Sequence, residues 1–122
     1  MFDLSSEEAR LLLNVALMAT GQNRFQTATR ILVALERFRP QEKAIPEAYA
    51  LLFISMQDFQ DAVDYLDRQA LPRFPESAML RAFKGMALLR MSRASEARGP
   101  LEEAANQTAD PAAAQLAKDM LT

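Results

Sequence analysis

Phe25 and Ala28 return 34 residues further on as Phe59 and Ala62, and the same register 35 residues beyond those holds Ala94 and Ala97. Asn23-Arg24-Phe25, Gln57-Asp58-Phe59 and Ser92-Arg93-Ala94 fill matching places between apolar segments. Pro40 closes the first stretch, and Pro75 stands close to the equivalent place in the second. A period of this length carries one supersecondary unit per repeat. Such a unit is too small to bury an apolar face alone, so neighbouring units must stack.

The units read as helical pairs. Only three glycines and six prolines punctuate the 122 residues, and Ala, Leu, Glu, Gln, Arg and Met fill the intervals, which favours helix over strand. Ser5-Ser6-Glu7-Glu8 has the spacing of a capping box, and Leu11, Leu12, Val15 and Met18 follow at helical intervals, predicting a first helix from about Ser6 to Thr20. Gly21 and Gln22 break it. Asn23-x-x-Gln26 offers a second cap, and Phe25, Ala28, Ile31, Leu32 and Leu35 form a stripe that Arg39-Pro40 terminates. Pro46 suits the first turn of a third helix ending near Met56. Asp58-x-x-Asp61 starts a fourth, with Phe59, Ala62, Val63 and Leu66 inward and Pro72 as terminator. Pro75-Glu76-Ser77 opens a fifth through about Met91, Ser92 to Ser95 turns the chain, and Ala94 and Ala97 begin a sixth. There Gly99-Pro100 predicts a kink or a restart, because proline lacks the N–H and clashes with the carbonyl of Glu96. Asp110-Pro111 caps a short, alanine-rich seventh helix.

A 34-residue helix-turn-helix with a small Ala early in its second helix, an aromatic just before it and a closing Pro resembles the tetratricopeptide repeat, TPR. The fold expected is therefore all-α: one TPR-like domain over 1–122, with repeats at about 9–42, 43–76 and 78–110 and a capping helix at about 111–121. The small Ala would let paired helices approach closely, and the aromatic would fill the wedge between units. The pattern departs from the family where a bulky residue is expected early in each first helix. Leu12, Pro46 and Arg81 stand there, and the expected glycine occurs only as Gly85.

Within that class, Leu11-Leu12-Leu13-Asn14, the segment from Ile31 to Pro40, and Asp58-Phe59-Gln60-Asp61-Ala62-Val63 look like the small TPR-like chaperones and co-chaperones of bacterial type III secretion. The resemblance implies a cytoplasmic, non-enzymatic protein. It would grip an amphipathic helix of a small secreted or export-apparatus protein, with or without a second small chaperone, and keep that client soluble and unassembled. A general TPR-like interaction scaffold, which could be a homodimer, is the alternative.

Composition removes most catalytic chemistry. Cysteine and histidine are absent, so there are no disulfides, no thiolate or imidazole metal ligands, no His general base and no Cys nucleophile. No Gly-rich phosphate loop is present, and no spacing supports a Ser-Lys pair with Lys43, Lys84 or Lys118. No catalytic residue, metal site or cofactor is expected. The opening MFDLSSEEAR is acidic and polar, and the longest apolar run, Ala48 to Ile54, is far below the ~18 residues of a membrane helix. The expected location is the cytoplasm, without membrane insertion.

In TPR-like superhelices the first helix of each pair lines the concave surface. Laid on the repeat, this sequence places Leu13, Leu17, Leu51, Ile54, Met79, Met86 and Leu89 there, an apolar set suited to one face of a partner helix. The plainer reading makes them core or a homodimer seam. A carboxylate clamp is disfavoured, because only Arg10 and Arg90 lie near. Asp58, Asp61, Asp64 and Asp67 drift around a helix rather than converging on an ion, and read as a solvated face. Arg68, Arg73, Arg81, Lys84, Arg90, Arg93 and Arg98 lack interleaved aromatics in a chain of net charge −2. Pairing with the preceding acidic helix is a simpler account of them than nucleic acid.

Overall fold

The computed structural model describes residues 4–122. Met1-Phe2-Asp3, the start of the acidic opening segment, lie outside the described residues. Among the described residues every regular element is helical. These are α1 (Ser6–Gly21), α2 (Phe25–Phe38), α3 (Ala44–Ser55), α4 (Phe59–Tyr65), α5 (Ala78–Arg90), α6 (Ala94–Ala105) and α7 (Pro111–Leu121). The chain packs as two compact units, Met1–Gln57 and Asp58–Thr122. Their boundary falls inside the expected second repeat, 43–76.

Start signals in the sequence act where their side chains can reach orphan backbone donors. Ser5 Oγ accepts from the Glu8 amide at 3.1 Å, and Glu8 Oε1 accepts from the Ser5 amide at 3.0 Å, closing the capping box of α1. Ser77 caps α5 by accepting from the Leu80 amide at 3.2 Å. Asp110 caps α7 by accepting from Ala113 at 3.1 Å, with Pro111 in the first turn. Two expected caps differ. Asn23 lies one residue outside the N-cap of α2, which is Arg24, and Asp58 makes no side-chain capping bond at α4.

Asn23 instead forms a turn that occurs three times. Asn23, Gln57 and Ser92 have φ of 62°, 64° and 61°, the left-handed region that a non-glycine residue seldom adopts. Each amide donates to the carbonyl three residues back, Thr20, Ile54 and Leu89. Arg24 and Arg93 then donate to Ala19 and Leu88, five residues back. The alanines that follow these turns, Ala28, Ala62 and Ala97, are wholly buried. The sequence period is thus a period of turn geometry.

In the first unit, α1, α2 and α3 pack on one another. Their core joins Ala9, Ala16 and Ala19 to Ala28, Leu32 and Leu35 and to Ile45, Ala48 and Leu52. The α2 stripe is as expected, with Phe25 and Ile31 packed at its edge. The α1 stripe is reversed. Leu11, Leu12, Val15 and Met18 are exposed, while the alanines face inward. Small side chains let α1 approach α2 and α3 closely, and the large ones are left outside.

In the second unit α5 packs against α4, α6 and α7, and α6 packs against α7. Leu66, Leu80 and Leu101 are its largest fully buried side chains. A Cβ on Gly85 would overlap the side chain of Leu101, so the α5–α6 approach requires glycine.

The Pro72 expectation needs correction. Pro72 does not end the fourth helix. The chain leaves α4 through a π-helical stretch, Leu66–Ala70, and completes one more α-helical turn, Leu71–Arg73. Pro72 cannot donate to the carbonyl four residues back, and the Leu71 amide bonds to Leu66, five back, so a wider turn absorbs the misfit. Pro100 lies inside α6, which runs through it as one helix, so of the two alternatives expected there the restart does not occur.

Candidate functional site

A cleft of about 750 Å³ opens in the first unit between α1 and α3. From α1 it takes Ser6, Glu7, Ala9, Arg10 and Leu13; from α2, Leu35; and from the start of α3, Ala44 and Ile45, with Glu42 in the connecting loop. Its floor is apolar and its charges, Glu7, Arg10 and Glu42, are of both signs. Ala9 in α1 and Ala44 in α3 leave this room, because neither fills the space a leucine would.

The mouth is fixed by Arg39, just past the end of α2. Its Nη1 donates to the Leu4 carbonyl at 3.0 Å, and its Nη2 donates to Ser6 Oγ at 2.8 Å and to Glu42 Oε1 at 2.6 Å. One guanidinium thus ties the chain before α1 to the loop before α3, a geometry that its fork of donors permits. Outside the cleft lining, Tyr49 on α3 packs against the first unit's core. Burial, helped by the negative charge of Glu36, raises its hydroxyl pKa to about 12. At the start of α1 the hydrogen bond from the Ser5 amide holds the Glu8 carboxyl below its ordinary range.

The seven residues expected in the groove are distributed as follows. Leu13 lines the cleft and also packs on the first core. Leu17 lies one turn further along the same face of α1 and is 36% exposed. Leu51 on α3 is half-buried, and Ile54 is only 6% exposed, so its side chain is packing rather than accessible surface. Met79, Met86 and Leu89 are half-buried along one face of α5, in the second unit. Sequence periodicity singles out Leu13 but not its neighbours Ala9, Leu35, Ala44 and Ile45. The two alanines carry no hydropathy signal, and Leu35 and Ile45 look like any core position.

The charged stretches resolve into local pairs. Lys84 meets Asp67 at 2.8 Å, as pairing with the acidic helix predicts. Arg81 on α5 instead meets Glu103 on α6 at 3.1 Å, while Arg93–Glu96 at 2.6 Å and Arg98–Glu102 at 3.7 Å are pairs within α6 and its N-cap. The Arg90 guanidinium lies 5.9 Å from the centre of the Phe59 ring. Among the described residues no group of three or more acidic side chains gathers in a way that could hold a metal ion. None of the helices among them is long and apolar enough to cross a membrane. No protein-family model matches the chain, and no curated protein matches it in sequence.

Proposed function

We propose that this chain is a non-enzymatic TPR-like protein of the type III secretion chaperone kind. It binds an amphipathic helix of a small secreted or export-apparatus protein in the cytoplasm and keeps it from assembling. The observation that carries this reading is the α1–α3 cleft, with Leu13 on its floor and Glu7, Arg10 and Glu42 beside it. A helix about 10 Å across fills roughly 400 Å³ per turn, so a space of this size takes the apolar side chains of one helix face and leaves the polar face in water. The turn shared by Asn23, Gln57 and Ser92, and the buried Ala28, Ala62 and Ala97, support the TPR-like part of the reading. Residual charges at the cleft would set the direction of the bound helix.

The test is a tagged pull-down from the native host under secretion-inducing conditions, with light scattering on the eluate. A small helical secreted or export protein in a defined stoichiometric complex supports the proposal. Large cytosolic partners, or a well-folded protein with no small client, support a general scaffold instead.

A further inference from the structure

Leu11, Val15 and Met18 leave 60%, 47% and 62% of their surfaces exposed on the outer side of α1. At about 100° per residue this strip lies roughly opposite the side that carries Leu13 into the cleft. Single exposed apolar residues are ordinary, but these fall at intervals of four and three. With Glu8 before them and Gln22 after them, they continue a 3-4-3-4 pattern, the spacing of a two-helix seam.

We propose that this strip joins two copies of the chain, α1 lying antiparallel on α1 of the second copy about a two-fold axis near Val15. The pattern is its own complement in that arrangement. Leu11 meets Met18 of the other copy, Val15 meets Val15, and Glu8 meets Gln22. Charge decides the direction. Glu7 and Glu8 stand at the start of α1, its last turn carries no charge, and Arg24 follows its end. Antiparallel packing sets the acidic end of one helix beside Arg24 of the other and opposes the helix dipoles. Parallel packing would set Glu8 against Glu8. Two helices each about 24 Å long bury on the order of 800 Å² in total, below the ~1,200 Å² of standard stable interfaces, so the dimer is reversible. The cleft stays open to a client in either state.

Sedimentation velocity on the full chain across roughly 1–200 μM checks this. The expected result is a sedimentation coefficient that rises with concentration, while Val15→Glu, which sets two carboxylates against each other on the axis, stays monomeric with an unchanged helical spectrum. The chain has no cysteine, so single introduced thiols report the geometry without background. With an added copper oxidant, Val15→Cys is expected to form a disulfide-linked dimer and Leu11→Cys to form little, because antiparallel packing separates the two copies of position 11 by about 10 Å along the axis. If Val15→Glu fails to fold, the thiol pair decides. A monomer at every concentration, a dimer that survives Val15→Glu, or equal cross-linking at positions 11 and 15 overturns the proposal. So does a strip that binds only the helix of a different protein.

Discussion

Gly85 stands at the α5–α6 contact because any larger side chain there runs into Leu101, itself 1% exposed. Gly85→Ala is expected to destabilise the protein by about 1–3 kcal/mol through overpacking, read as a lower midpoint in urea unfolding. The left-handed turns predict the opposite sign. Gln57, at φ 64°, holds a conformation that costs an ordinary residue about 1–2 kcal/mol, part of which glycine's extra unfolded-state entropy offsets. Gln57→Gly should therefore stabilise by a few tenths to about 1 kcal/mol in the same assay. Tyr49 supplies a pH test. Its folded pKa, about 12, lies above the ordinary value of 10, so the folded state binds more protons between them. Its contribution to stability is complete below pH 10 and is lost as pH rises towards 12. Tyr49→Phe should flatten the stability profile over that window.

At the scale of elements, the caps of α1, α5 and α7 were readable from Ser5, Glu8, Ser77 and Asp110, because capping depends on side chains within three residues of the helix start. The orientation of α1 was not. Hydropathy favours the face with Leu11, Val15 and Met18, whereas close packing selects Ala9, Ala16 and Ala19, and the latter preference depends on what α2 and α3 present. The path after α4 was also hidden, since a π-helical stretch has no composition signature beyond the proline it accommodates. Pro72→Ala restores an amide donor at an exposed position and is expected to raise the thermal midpoint. A lower midpoint would show instead that the wide turn is held by the burial of Leu66 and Ala70, both fully enclosed.

Over the whole molecule, the recurrence of Phe25-x-x-Ala28 and Phe59-x-x-Ala62 predicted the all-α class and the three matching turns. A repeat is read from its punctuation more securely than from its surface. The candidate site was legible only at Leu13. Its surroundings come from Ala9 and Arg10 at one end of the first unit's sequence and Glu42, Ala44 and Ile45 at the other, residues that only folding brings together. Of the other expected residues, Ile54 is packed away, and Met79, Met86 and Leu89 belong to the second compact unit. In the proposed function the cleft at Leu13 receives an apolar helix face. Isothermal titration of the captured client against the wild-type chain and Leu13→Glu tests it most directly. At least a tenfold loss of affinity with helical circular dichroism intact is expected; an unchanged affinity in a folded Leu13→Glu protein would rule the cleft out as the binding site.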